Sequence, residues 1–402
     1  MAKEKFITGL DIGTSNVKIL TVKQNLKEER LELVSKIEET SEGVRRGTVV
    51  NVEKLSNLFK DLFSRKSQNL RRRISSIYVN LNGSHLFSVP SRGLISVSRA
   101  DQKISEEDIQ RVLQAARAIN LSSNKEIFDV FPKEFIVDGE KGIKDPLGLQ
   151  GVRLEVEVLA LGGFSPYLEN IRQAVLNSNL EILDMMPSSI AASRAVLTER
   201  QKELGVALLD IGAGITSLAV FEEGNLIYLT VLPMGSSNIT NDIAIGLKTD
   251  IDIAERIKIE YGSCVLKGKD VKRRINIGED EPLVFSQRFL TKITSDRVSE
   301  IFEEANKKLK SISKEKLLPA GIVLTGGGAK LPRIVALAKN KFHLPVRLGR
   351  PKGISGMEED LGLATVCGLV LMGADLEGKE QGFEFGRKTV SKIKKMFKIF
   401  IP

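Results

Sequence analysis

GLDIGTSNVKIL at residues 9–20 and LLDIGAGITSLA at residues 208–219 decide how this chain is read. Each runs from an apolar strand into Asp-Ile-Gly, then through a small polar turn into alternating apolar residues, so each predicts a strand–turn–strand hairpin. The tips are built of Gly, Ser, Thr, Ala and Asn. Such residues tolerate unusual dihedrals and leave backbone N–H groups open to an anion. Two copies half a chain apart predict two related α/β halves facing each other across a cleft.

A third glycine cluster extends the pattern. Gly321–Leu324 reads as a strand, Thr325-Gly326-Gly327-Gly328 as a turn, and Ile334–Phe342 as a helix. A strand, glycine turn and helix let a flat or anionic ligand approach the backbone. Asp11 and Asp210 end their strands beside the two turns, a placement that suits a Mg²⁺ held largely through its waters. Gly13, Thr14, Ser15 and Asn16, with Gly212, Ala213, Gly214, Ile215 and Thr216, would wrap a triphosphate. Lys18, just past the first turn, would reach a phosphate. No G-x-G-x-x-G occurs, so a dinucleotide fold has no motif behind it.

The 402 residues suffice for two to three domains, with 42% hydrophobic and 28% charged residues. No apolar run approaches the ~20 residues of a membrane span. MAKEKFITGLDIG lacks the apolar region of a secretory leader, so a cytoplasmic chain is expected. Two cysteines, Cys264 and Cys367, and two histidines, His85 and His343, exclude a disulfide framework and a Cys/His metal site. The net charge is +9, of which six basic residues lie after Gly386 with no acid among them. The body is therefore nearly balanced, and the basic end reads as a device for an anionic surface. Aromatics at 5% without Trp give no base-stacking platform, and no nucleic-acid partner is expected.

Between the hairpins, residues 85–163 read as an inserted α+β subdomain. Ser105 precedes Glu106, Glu107 and Asp108 as a helix start, and strand-like runs EIFDVF, EFIVDG and LEVEVLALGG follow. Residues 244–312 carry two helix signals, DIDIAERIKIEYG and SDRVSEIFEEANKKLKSI, and the basic run KGKDVKRR. Residues 374–386 read as a linker. In the tail, Val390, Ile393, Met396, Phe397, Phe400 and Ile401 fall within an arc of about 140° on a helical wheel. Lys388, Lys392, Lys394, Lys395 and Lys398 occupy the rest of the circumference, with Ile399 the exception. That segment predicts an amphipathic helix lying in a membrane interface.

These residues resemble the actin/heat-shock-chaperone/sugar-kinase superfamily. The hairpins look like its two phosphate motifs and GIVLTGGGAKLP like its adenosine motif. Within it, KEFIVDGEKGIKDPLGLQGVRLEVE, LPMGSSNITNDIAIGLKTDIDIAERIKIEYG and the basic tail resemble the FtsA family of bacterial division proteins, along nearly the whole chain. The resemblance implies a two-lobed, ribonuclease H-like ATPase fold. Residues 1–84, 164–200 and 359–375 would form the first lobe, and 201–243 with 313–358 the second. Residues 85–163 would be the insertion, 244–312 an upper subdomain, and 376–402 a linker and membrane-targeting helix. It further implies ATP and Mg²⁺ as ligands, self-assembly into filaments, and tethering of FtsZ to the cytoplasmic face of the membrane at the division site, beside other divisome proteins. Glu255 and Lys258 would meet the ribose and adenine, with Gly326, Gly327 and Gly328 under the nucleotide. The FtsZ C-terminal peptide would meet Arg297 first, then Lys272, Arg273 and Arg274.

One departure concerns hydrolysis. Many superfamily members place Glu or Gln before the helix that precedes the second phosphate motif, where it orients the attacking water. This chain has Met186-Pro187 there, with Asp184 and Ser188 nearby. A thioether orients water poorly, so slow or no hydrolysis is expected. Two alternatives remain: a PilM-like pilus-assembly protein with the same cleft, and a small-molecule kinase on the same fold.

Overall fold

The computed structural model describes residues 5–25, 30–65, 74, 76–276 and 282–378. Five strands and five helices position the site. They are β1 (Lys5–Ile12), β2 (Asn16–Asn25), α1 (Ser188–Val196), β3 (Val206–Ile211), β4 (Thr216–Glu222), α2 (Ser236–Leu247), α3 (Ile251–Tyr261), α4 (Gln287–Ser311), β5 (Ile322–Thr325) and α5 (Ala364–Gly378).

Both expected hairpins form. β1 and β2 pair antiparallel with Asp11 opposite Lys18, and Gly13 N–H closes the turn on the Asn16 carbonyl at 3.1 Å. β3 and β4 pair with Asp210 opposite Ser217, and Gly212 N–H closes on the Ile215 carbonyl at 2.9 Å. Each hairpin then enters its own sheet. The first lobe is a six-stranded sheet ordered Glu181–Pro187, Ser76–Leu81, β1, β2, Arg30–Thr40, Ile354–Ser355. The second sheet has nine strands, beginning Val346–Leu348, β5, β3, β4 and Asn225–Leu232. Strands next to parallel neighbours read as continuous apolar runs because both faces are covered. Leu208, Leu209, Val323 and Leu324 accordingly have no exposed surface.

α5 seals the first lobe. Leu369 and Val370 pack over Gly9 of β1, and α1 crosses α5 so closely that a Cβ on Gly368 would overlap the Ala191 carbonyl. Only glycine permits that approach. The helix runs through Ala374 and Leu376 to Gly378, where a linker was expected, because both side chains are buried and Asp375 forms a two-point ion pair with Arg194.

The insertion is less independent than its sequence suggests. Its strands Phe87–Ser96, Arg153–Phe164, Lys125–Val137 and Glu140–Ile143 continue the nine-stranded sheet, joined where Phe87 meets Thr230. Ser88 reinforces the joint, its hydroxyl donating to the Leu229 carbonyl and accepting from the Leu229 N–H. EIFDVF and EFIVDG form one strand, with Pro132 at a register shift, where a residue lacking an N–H is tolerated. The Ser105 capping box forms as read, with Asp108 accepting back from the Ser105 N–H.

Within residues 244–312, α3 matches its signal. α4 begins eight residues before the predicted Ser295, because Ser286 caps Phe289 N–H, and Leu290, Thr291 and Thr294 continue its buried face. No helix among the described residues is long and apolar enough to cross a membrane.

Candidate functional site

The two hairpin turns meet across a cleft of about 490 Å³ between the lobes. Asp11, Gly13, Thr14, Ser15, Asn16 and Lys18 line it from one side, with Asp210, Gly212, Ala213 and Ile215 opposite. Glu255 and Lys258 come from α3, and Gly326, Gly327 and Gly328 from the turn after β5. Two predicted residues do not line it. Thr216 is fully buried and its hydroxyl donates to the Met234 carbonyl. Gly214 abuts the Thr14 side chain, 2.9 Å from where a Cβ would lie, so the second turn needs glycine to close on the first.

Each aspartate is held by a partner the sequence did not reveal. Asn80 donates to Asp11 Oδ1 at 2.8 Å and to Ser188 Oγ at 3.0 Å, while its own oxygen accepts from Ile12 N–H. Thr365 donates to Asp210 Oδ2 at 3.2 Å. Asn80 is the penultimate residue of the apolar strand Ser76–Leu81, ahead of an Asn-Gly turn, a signal that could have been used; Thr365 carries none. Lys18 Nζ stands 3.8 Å from Asp11 Oδ2. Glu38, from the neighbouring strand, accepts from the Asn16 amide at 2.6 Å and brings another acid to the rim.

Burial raises the Asp11 carboxyl to about 6; Lys18 opposes this, and the charges of Asp210 and Glu38 add to it. Burial also raises Asp210, against the Thr365 hydrogen bond and Lys18. A buried carboxylate, Asp11, and a half-buried one, Asp210, face one cleft, each with one oxygen bound by a neutral donor; together they form a donor set that fits a hydrated divalent cation. The side of the cleft lined by α3 and the glycine turn is equally constrained. Lys258 Nζ donates to Glu255 Oε2 at 2.7 Å, to Thr240 Oγ1 at 2.8 Å and to the Ser236 carbonyl at 3.3 Å. Gly326 has φ +86°, and a Cβ there would lie 2.3 Å from Asp210 Oδ1, whereas a Cβ on Gly327 meets nothing. Gly327 thus leaves its side of the cleft open.

Met186 pairs with Asn80 on the adjacent strand and is buried in the core. Ser188 touches Asn80 and donates to the Leu81 carbonyl. Asp184 lies on the strand three residues before Pro187 and does not line the cleft.

On the second lobe, Arg297 is not a free surface charge. Its guanidinium grips Asp242 at 2.6 and 2.9 Å and also meets Glu300, tying α4 to α2. Lys272, Arg273 and Arg274 are exposed on a short strand, Arg273 stacking at 5.6 Å on Tyr261. Exposed Ile245, Ile259 and Phe289 lie on the neighbouring helices. The tail residues Lys388, Val390, Lys392, Ile393, Lys394, Lys395, Met396, Phe397, Lys398, Phe400 and Ile401 lie outside the described residues.

A family profile described as "Cell division protein FtsA" matches residues 207–368, and one described as "SHS2 domain inserted in FTSA" matches residues 83–161. The chain is 35% identical to the cell division protein FtsA of Pseudomonas aeruginosa over 88% of its length and 85% of that protein. It is 33% identical to the FtsA of Bacillus subtilis over 98% of its length and 90% of that protein. Among solved structures, it is similar in fold to a PilM-PilN type IV pilus biogenesis complex (TM-score 0.67, 17% identity, 92% of this chain and 98% of that one). It is similar also to MreB 5 of Spiroplasma citri bound to AMPPNP (TM-score 0.58, 14% identity, 94% and 99%).

Proposed function

The chain belongs to the FtsA family of bacterial cell-division proteins, and from that premise we propose that it binds ATP with Mg²⁺ between its lobes, polymerises on the membrane, and tethers FtsZ there. It has the actin-like two-lobed fold with an SHS2 insertion. The observation that carries the ligand is the pair of Asp-Ile-Gly hairpins closing one cleft from both sides. The lobe boundaries read from the sequence, with an insertion at 85–163 and an upper subdomain at 244–312, belong to this reading.

In this reading the N–H groups of the two turns and the hydroxyls of Thr14 and Ser15 hold the phosphates, and Lys18 neutralises them. Asp11 and Asp210 would hold the cation, which when bound neutralises phosphate charge. Asn80 and Thr365 orient those carboxylates. Lys258 fixes Glu255 for the ribose, and the open face of Gly327 admits the nucleoside. The buried Met186 leaves no acid at the water-orienting position, so ATP acts mainly as a ligand that selects the polymerising state. Turnover near the ~10 s⁻¹ typical of enzymes would refute that. Calorimetry with Mg²⁺ tests the binding itself; absence of ATP binding at millimolar concentration overturns it.

The FtsZ peptide, short and mixed acidic and apolar in this family, suits the upper subdomain, which exposes Lys272, Arg273 and Arg274 as well as Phe289. Long-range attraction speeds such encounters. Arg297 contributes in this reading while bound to Asp242, so Arg297→Glu should abolish peptide binding in fluorescence anisotropy. Unchanged affinity would move the site. The tail at 386–402 would bind the anionic inner face of the membrane, each basic residue contributing up to ~1 kcal/mol. Many tails on one filament would strengthen this through effective concentration. Phe397→Glu should release the protein from anionic liposomes and leave ATP binding intact; full retention refutes the mechanism.

A further inference from the structure

A second cleft, of about 1060 Å³, is distinct from the nucleotide cleft and shares no lining residue with it. It lies between two stretches of chain that cross from one sheet to the other. The first crossing leaves the six-stranded sheet through α1 and the helix Glu199–Leu204 to reach β3. The second returns from the strand Val346–Leu348 of the nine-stranded sheet to Ile354–Ser355 of the six-stranded one.

Arg347 stitches these crossings together. Its guanidinium donates to the Val196 carbonyl and to Gln201 Oε1, both at 2.7 Å, and to the Leu348 carbonyl at 3.1 Å. All three acceptors are neutral, and the rest of the N–H fork has no partner among the described residues. Burial lowers the Arg347 pKa. Two more cations line the same wall. Arg350 donates to the Glu359 main-chain carbonyl, and the Lys352 N–H donates to the Ala195 carbonyl. Neither side chain has a carboxylate partner among the described residues. Of the acids in the lining, Asp375 is already taken by Arg194, which leaves Glu359 against three unpaired cations.

Arg347 is half-buried without a counter-ion, and Arg350 and Lys352 stand exposed along the same wall, so an anion entering the cleft meets three converging cations and supplies the charge that Arg347 lacks. The volume is at the upper end of small-molecule sites, and Leu31, Leu348 and Leu371 give it apolar walls. We infer that this interlobe cleft binds a small organic polyanion bearing at least two phosphate or carboxylate groups, held by Arg347, Arg350 and Lys352. Such a ligand bridges both crossings and stiffens the angle between the lobes.

The test uses the full chain saturated with ATP and excess Mg²⁺, so that the nucleotide cleft is filled. Calorimetry follows titration with pyrophosphate and, separately, with tricarballylate. Binding of either probe is expected, and which one binds more tightly tells a phosphate source from a carboxylate one. Arg350→Gln combined with Lys352→Gln should weaken that binding at least ten-fold with ATP affinity changed less than two-fold. Arg347→Gln should do the same, and a melting curve will show whether it still folds; the double variant decides the matter if it does not. No binding of either probe at millimolar concentration, or binding that both variants leave unchanged, overturns the inference.

Discussion

The two Asp-Ile-Gly hairpins share a sequence pattern and a backbone, yet they are held in different ways. In the first, the residue opposite the aspartate is Lys18, and Asn80 binds the carboxylate from the neighbouring strand. In the second, the opposite residue is Ser217, Thr365 of α5 supplies the hydrogen bond, and Gly326 presses against the free oxygen. The second turn is also braced from behind, since the N–H groups of Ser236 and Ser237 donate to the carbonyls of Gly212 and Ala213. The first turn is polar and open; the second is packed. Local sequence made the two hairpins alike, and their surroundings gave one a cationic and the other a steric character.

The sharpest way to break that contrast is at Gly326. Valine there must adopt φ +86° and overlap Asp210. Strain and overpacking together should cost roughly 3 kcal/mol or more, read as a large fall in melting temperature with loss of ATP binding. Gly327→Val is the control: a Cβ there meets nothing among the described residues, so melting should hold while nucleotide binding is lost.

The aspartates should then separate by sign. Asp11→Asn removes a buried charge crowded by Asp210 and Glu38 and can still accept from Asn80, so it should raise the melting temperature of the nucleotide-free protein while weakening Mg²⁺-dependent binding. Asp210→Ala leaves the buried Thr365 hydroxyl without its acceptor and should lower stability by about 1–3 kcal/mol as well as weakening binding. Equal shifts in the two variants would erase the distinction drawn here. Thr14→Val is smaller. It removes the 2.8 Å bond from Gly47 N–H to the Thr14 hydroxyl, worth about 1 kcal/mol, and should weaken ATP binding only modestly.

The smallest effect on nucleotide binding is expected away from both hairpins, at Asp108. Burial would raise this carboxyl, but hydrogen bonds from Ser105 and Ser98 outweigh it and hold it down to about 2. A pKa below its unfolded value contributes stability that is complete above about pH 4 and is lost as pH falls towards 2. Asp108→Asn should flatten that acid limb in a pH series of thermal melts and leave ATP binding unchanged.

Much of this was legible because it is local. The hairpins, the Ser105 cap, α3 and the strand before Gly326 follow from period and turn chemistry within a dozen residues. The misses are long-range or concern element ends. α4 starts at a cap the helical period did not weigh, and two strand runs fuse through Pro132. α5 continues past Ala374 because tertiary burial covers Leu376. Within the cleft, both aspartates and the turn residues other than Gly214 and Thr216 were readable from spacing, but Glu38 and Thr365 stand 27 and 155 residues from the aspartates they influence, and nothing in a linear pattern couples them.

By itself the sequence determined two glycine-tipped hairpins, a glycine turn after a third strand, and a basic end, because backbone permissiveness and residue type are properties of neighbours along the chain. Only the tertiary structure decided that Gly214 closes on Thr14, that Arg297 is spent on Asp242, and that Arg347 stands uncompensated where the chain crosses between sheets. Those outcomes depend on which charges and surfaces folding brings within a few ångströms of one another, and on how little water remains there to screen them.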